Sequence, residues 1–203
     1  MGTTPKEVER TFREAGAFLE GHFVLSSGRH SPKYLEKFQV LQWPARTEAL
    51  SGAIAERVRG LGIETVAGPT TGGIILAHEV ARQLGTRAVY AERKEGGTGR
   101  EFRRGFQLRE AERVLVVDDI MSTGGSVEET IAAVRDADAA VAGVAVLVDR
   151  SGGAAAKRLA GIPLVALWEV EIETYDPASC PQCAAGEPVR KPGTTPAAKE
   201  RVR

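Results

Sequence analysis

The sequence predicts an α/β fold, a parallel sheet flanked by helices on both faces, with an N-terminal piece outside the repeat. Three observations carry this. Short, almost wholly apolar runs at residues 113–117 and 141–148 read as strands buried on both sides. Segments with apolar residues at helical spacing separate such runs. Glycines punctuate the junctions, as at Gly72-Gly73, Gly85 and Gly124-Gly125.

Taken in order, residues 5–18 read as a helix, with Val8, Phe12, Ala15 and Leu19 on one face. Residues 21–28 read as a short strand ending in a turn, and residues 33–41 as a second strand. Pro44 opens a helix carrying Leu50, Ile54 and Val58, and Gly60 and Gly62 stop it. Strand and helix then alternate: strand 64–67, helix 74–84, strand 87–92, strand 113–117, helix 125–136, strands 141–148 and 164–170. Residues 96–105, rich in glycine and charge, are expected to form a mobile loop. The tail from about Pro192 has the composition of a disordered segment. The division expected is 1–60 for the N-terminal helix and the segment after it, 61–175 for the core, and 176–203 for a C-terminal extension.

Composition bounds the function. Lys+Arg and Asp+Glu both number 27 in 203 residues, so the chain is formally neutral and nothing points to nucleic acid. Residues 1–10 are polar and lack the apolar core of a secretory signal. No apolar run reaches the roughly 18 residues that a membrane span needs. A soluble, cytoplasmic protein is the expectation. The two cysteines, Cys180 and Cys183, are too few for a disulfide scaffold.

The informative stretch is Val114-Leu115-Val116-Val117-Asp118-Asp119-Ile120-Met121-Ser122-Thr123-Gly124-Gly125-Ser126. An apolar strand delivers two adjacent carboxylates to the carboxyl edge of a parallel sheet, where ligands bind in open α/β folds. Hydroxyls and glycines follow, then a helix whose first amides are unpaired donors at its positive end. That is a phosphate cradle without a lysine. The acids repel phosphate, but they suit sugar hydroxyls or a divalent metal. A ligand with a phosphate and vicinal hydroxyls, such as ribose 5-phosphate, satisfies both halves. Neither a P-loop nor a dinucleotide fingerprint occurs here. The structural alternative, a buried strand with a polar helix cap, seldom needs two adjacent acids.

Residues 116–126 resemble the motif by which type I phosphoribosyltransferases bind phosphoribosyl pyrophosphate (PRPP). Other segments are similar to the orotate phosphoribosyltransferases of that family. Residues 21–32 resemble their N-terminal hood, and Ala67-Gly68-Pro69-Thr70-Thr71-Gly72-Gly73 their pyrophosphate loop. Ala91-Glu92-Arg93-Lys94 and Arg103-Arg104-Gly105-Phe106 resemble the two ends of their catalytic loop. Val148-Asp149-Arg150 resembles the strand end whose arginine meets the orotate carboxylate.

The resemblance implies transfer of ribose 5-phosphate from PRPP to orotate in pyrimidine synthesis, with Mg²⁺ as cofactor. It implies that Asp118 and Asp119 hold the ribose hydroxyls, directly or through Mg²⁺ carried mainly by PRPP. The 5′-phosphate would sit on Thr123, Gly124, Gly125 and Ser126, within a PRPP site that also includes Ile120 and Met121. Ser122 and Arg150 would touch orotate, and Arg93 and Lys94 the departing pyrophosphate. It also implies a homodimer that shares the catalytic loop between subunits. The chain departs from the pattern in three places. Its loop carries Arg100, Arg103 and Arg104 where many relatives have a lysine and a histidine. Ser26 stands for a hood lysine, and Gly72 for a pyrophosphate-loop lysine. A phosphoribosyltransferase for a purine base, or a PRPP-binding regulator without catalysis, are the other readings. The arginines from 100 to 104 are also compatible with a solvated charge run.

Cys180-Pro181-Gln182-Cys183 has metal-ligand spacing, but it offers two ligands where structural zinc takes four. A partner subunit could supply the others, or the segment is a plain loop with two thiols. The spacing of His22, His30 and His78 does not mark a site.

Overall fold

The computed structural model describes residues 2–25, 27–159 and 161–192. Helix α1 (Pro5–Glu14) starts from a capping box. The Glu7 amide donates to the Thr4 hydroxyl, and the Thr4 amide donates to Glu7 Oε2 at 2.8 Å. Its Val8 and Phe12 are fully buried, and the Phe12 ring lies 5.8 Å from that of Trp168. Strands β1 (Phe18–Val24) and β2 (His30–Leu35) form an antiparallel hairpin of their own.

The strand expected over 33–41 is corrected at this point. β2 ends at Leu35, and Phe38–Leu41 form a helical turn, α2. The Gln39 amide donates to the Glu36 carbonyl, closing the turn. It buries Val40 and Leu41, which an extended chain would present to opposite sides. Helix α3 (Pro44–Val58) follows, with Pro44 in its first turn.

The main sheet contains β3 (Thr65–Pro69), β4 (Arg87–Arg93), β5 (Arg100–Phe102), β6 (Arg113–Met121), β7 (Ala140–Asp149) and β8 (Leu164–Glu169), in the order β5-β4-β3-β6-β7-β8. All neighbours are parallel except β4 and β5. Helices α4 (Gly72–Leu84) and α5 (Gly125–Asp136) connect these strands, joined by the short α6 (Ala154–Arg158). Two apolar clusters cover the two faces. One joins α1, α3 and α4 to Leu115, Val117 and Leu147; the other joins α5 and α6 to Val114, Val116 and Val146. The predicted class, a mainly parallel sheet between helices, is what the chain forms.

Other boundaries differ from the sequence reading: the helix expected over 5–18 stops at Glu14, and the strand expected over 21–28 runs Phe18–Val24, so Leu19 belongs to β1. Residues 96–105 are not wholly loop, because Arg100–Phe102 pair with Ala91–Arg93 as a hairpin. β6 runs past Val117 to Met121, so both acids lie inside a paired strand. Within residues 1–60, α1 and α3 lie against the main sheet, while β1–β2 pairs as a separate sheet whose Phe18 and Leu35 join the same core. The tail 193–203 and Ser26 lie outside the described residues.

At the amino edge of the sheet, Glu112 ties three strands together. Its carboxylate, 2% exposed, accepts from the Thr65 hydroxyl, from the Arg109 amide at 2.7 Å and from Arg87. Burial pushes its pKa up, but these donors outweigh burial and hold it at about 2. A carboxyl lowered on folding stabilises above its ordinary pKa and loses that contribution as pH falls toward the folded value. Glu112→Gln should therefore cost about 1–3 kcal/mol at pH 7. The deficit should shrink as pH approaches 3, and urea unfolding at the two pH values measures it.

Candidate active site

Sheet order locates the crevice. The chain leaves β3 for β4 on one side and later enters β6 on the other, so the switch point lies between the carboxyl ends of β3 and β6. The loop Thr70-Thr71 extends β3, and Asp118 and Asp119 lie near the carboxyl end of β6.

Strand alternation sends the two acids apart. Leu115 and Val117 belong to the α4-side cluster, and Val114 and Val116 to the α5-side cluster. Asp119 accordingly meets the α4 side. Its Oδ1 accepts from the Ile120 amide at 2.7 Å and lies 3.2 Å from Lys37 Nζ. Gly72, the first residue of α4, has no room for a side chain, since a Cβ there would stand 1.9 Å from Asp119 Oδ2. Asp118 meets the α5 side. Its Oδ2 accepts from the Ser126 hydroxyl at 2.6 Å and its Oδ1 from the Asp119 amide at 2.9 Å.

Both carboxylates are almost wholly buried, at 6% and 3% exposure. Burial raises the pKa of each, and for Asp119 the neighbouring Asp118 charge adds to it, bringing it to about 7. Burial alone would lower the pKa of Lys37, but its contact with Asp119 raises it. The cluster holds its charge poorly unless a cation or hydroxyl donors meet it. Each carboxylate oxygen has a second lone pair for such donors.

The loop from Ser122 to Gly124 turns β6 into α5. Ser122 and Thr123 are exposed, and Gly124 takes the left-handed conformation (φ 81°) that opens the helix. The α5 amides face the crevice with no side-chain cap. Met121 accepts from the Arg150 amide at 2.9 Å, which holds the end of β7 beside this loop. The Arg150 guanidinium is partly buried and has no carboxylate partner within ion-pair distance among the described residues. Burial lowers its pKa, and the Tyr34 phenol acts in the opposite sense; burial also raises that phenol.

Most of the predicted residues converge here: Asp118, Asp119, Ile120, Met121, Ser122, Thr123, Gly124, Gly125, Ser126 and Arg150. Lys94 does not. It is exposed, and its Nζ lies 3.7 Å from Asp136 at the far end of α5. Arg93 is exposed at the end of β4. Arg100 is no solvated charge: it is 5% exposed, donates to the Thr70 hydroxyl at 3.0 Å and sits 3.2 Å from Glu129. Arg103 and Arg104 do form surface ion pairs, with Glu95 and Glu92. Sequence reasoning missed Tyr34 and Lys37. In Lys33-Tyr34-Leu35-Glu36-Lys37 both look like ordinary members of a polar strand, and no local signal separates them. It also set His22 and His30 aside, whereas the fold brings both beside Cys180 and Cys183.

The family model for the phosphoribosyl transferase domain matches residues 38–165. An orotate phosphoribosyltransferase of Pelotomaculum thermopropionicum is 47% identical over 191 residues, covering 94% of this chain and 98% of that protein. One from Desulforamulus reducens is 46% identical over 189 residues, covering 93% and 96%. The crystal structure of orotate phosphoribosyltransferase from Aeropyrum pernix superposes with a TM-score of 0.67 at 30% identity, over 80% of this chain and 93% of that one.

The buried acids set a pH dependence. Asp119 rises on folding from 3.8 to about 7, so between those values the native state binds the extra proton. Stability of the ligand-free protein then falls as pH rises through that window. Urea unfolding at pH 4.5 and 7.5 should show this loss in the wild type. Asp119→Asn should show a smaller loss; an unchanged slope would place the titration elsewhere.

Proposed function

We propose a function on one premise: the chain belongs to the phosphoribosyltransferase family and, within it, to the orotate phosphoribosyltransferases. The chain is an enzyme that transfers ribose 5-phosphate from PRPP to orotate, giving orotidine 5′-monophosphate and pyrophosphate. The observation that carries this is the pair Asp118–Asp119 splayed at the end of β6, with an uncapped helix start on one side and an unpaired arginine on the other. Relatives at 46–47% identity bear the orotate name, which favours orotate over a purine base.

Asp118 and Asp119 receive the ribose hydroxyls at the centre of the crevice. The 5′-phosphate rests on Thr123, Gly124, Gly125 and the α5 amides, where the helix dipole favours an anion. When Ser126 turns from Asp118 to the phosphate, a hydroxyl of the sugar takes its place on Asp118. Arg150 pairs with the orotate carboxylate in the fork geometry of a guanidinium, and Ser122 lies within the same pocket. The α4 amides behind Thr70-Thr71 and the side chain of Lys37 receive the pyrophosphate end. Arg100, braced on Thr70, adds positive charge beneath that loop.

Mg²⁺ suits this site through the substrate. The acid oxygens already accept from Ser126, Ile120 and Lys37, so they fit a cation held chiefly by PRPP oxygens and hydroxyls. There the cation would neutralise the leaving pyrophosphate. The protein's own part is alignment of the base with the anomeric carbon and stabilisation of charge as the bond breaks. The ring nitrogen of orotate is already anionic, so no strong general base is required.

The working form we propose is a homodimer in the cytoplasm whose 93–106 hairpin serves the neighbouring site. Lys94 supports this, because in its own chain it faces Asp136 and not the acids. Among the described residues no helix is long and apolar enough to cross a membrane.

Loss of orotate absorbance on adding PRPP and Mg²⁺ tests the activity. Asp118→Asn with Asp119→Asn should remove nearly all turnover while the protein stays folded. Arg150→Ala should raise the KM for orotate far more than that for PRPP, by about 1.5–3 kcal/mol, roughly ten- to a hundred-fold. Equal effects on both substrates would take Arg150 out of the base pocket.

Mixed dimers test the shared loop. Lys94→Ala and the double Asn variant should each be inactive. After subunit exchange, half the dimers are mixed, and each has one intact composite site. Activity should return toward about a quarter of wild type. No recovery, with exchange proven, would mean that each loop serves its own subunit.

A further inference from the structure

We propose that His22, His30, Cys180 and Cys183 form a structural zinc site that clamps the C-terminal segment onto the β1–β2 hairpin. His22 comes from β1 and His30 from β2, while Cys180 precedes the short helix α7 (Pro181–Ala184) and Cys183 lies within it. One ligand atom from each of the four lies within 4.8 Å of every other. The site completes in one chain the pair of ligands that Cys180 and Cys183 offer.

The geometry fits zinc. His22 Nδ1 stands 2.9 Å from the Glu187 carbonyl, which only accepts, so Nδ1 carries the proton and Nε2 presents its lone pair to the cluster. This is the outer hydrogen bond that a zinc-ligating histidine ordinarily makes. His22 Nε2 lies 3.5 Å from Cys180 Sγ and 3.7 Å from Cys183 Sγ, and His30 Nδ1 lies 3.2 Å from Cys183 Sγ. A tetrahedron built from Zn–N and Zn–S bond lengths has edges of roughly 3.3–3.8 Å. The shortest edge here, His22 Nε2 to His30 Nδ1 at 2.8 Å, must open by about half an ångström on filling. Two thiolates and two imidazoles at tetrahedral spacing select zinc over the hard oxygen-seeking cations. Cys180 and His22 are buried, while Cys183 is exposed and gives the ion a way in.

The fold gives such a site a task. A lone two-stranded hairpin is marginal in water. Here the C-terminal segment braces both of its edges: Tyr175 exchanges backbone hydrogen bonds with His30, and Arg190 bonds to His22 and Val24. A four-ligand ion would lock these contacts, and with them β2 and the following turn, which carry Tyr34 and Lys37 to the acid cluster.

The test is elemental analysis of the full chain purified under reducing conditions without chelator. About one zinc per chain is expected. Cys183→Ser, at an exposed position, should stay folded by circular dichroism yet lose nearly all the zinc. Replacing the wild-type metal with Co²⁺ should give the intense visible bands of tetrahedral cobalt and thiolate charge transfer. Zinc content unchanged in Cys183→Ser would overturn the proposal. So would a metal-free wild type that gives no tetrahedral spectrum with Co²⁺, whether its thiols are free or joined as a disulfide.

Discussion

The crevice depends on one constraint: two consecutive carboxylates at the end of a strand buried on both faces must point to opposite sides of the sheet. Asp119 meets α4 and Lys37, and Asp118 meets α5. Both are almost wholly buried, so each requires donors from the side it faces. Ser126, the amides of Asp119 and Ile120, and Lys37 meet that requirement. The arrangement is strained in the electrostatic sense, because burial keeps both acids reluctant to ionise together. On the proposed reading, a sugar with hydroxyls to donate, carrying its own cation, would relieve that strain.

The same constraint leaves no room for a side chain at position 72. A lysine at position 72 would drive its Cβ into the Asp119 carboxylate as it is held here. The chain carries glycine there and brings its cation from the turn after β2, as Lys37, three residues before Val40 enters the core. Burial of those two side chains fixes the turn, so packing of the α2 segment sets where the lysine head lies. Positive charge beneath the Thr70-Thr71 loop comes likewise from an unexpected place, Arg100, held by Thr70, the Ala91 carbonyl and Glu129. A guanidinium tolerates such burial because its charge is delocalised and weakly hydrated, and here hydrogen-bond acceptors and a carboxylate face it.

Stability and function occupy opposite edges of the sheet. At the amino edge Glu112, Thr65, Arg87 and Arg109 form a satisfied network whose carboxylate is easy to ionise. At the carboxyl edge the acids are hard to ionise and Arg150 has no acidic partner among the described residues. Neighbouring strands thus carry a settled charge cluster at one end and an unsettled one at the other. The second is where the proposed substrates bind.

The sequence by itself determined the layered α/β class, the acid pair, the hydroxyl and glycine loop and the arginine at the end of β7. These are local: an apolar run sets a buried strand, and the next dozen residues set a turn and a helix start. What only the tertiary structure decided are meetings between residues far apart in the chain. Lys37 reaches Asp119 across 82 positions because a helical turn replaces the expected end of a strand. Arg100 is buried because a glycine-rich loop pairs as a hairpin against β4 and α5. His22 and His30 face Cys180 and Cys183 because the C-terminal segment folds back along both edges of β1–β2. Spacing along the chain carries no trace of such contacts, since long-range packing and not local periodicity chooses which distant side chains share a site.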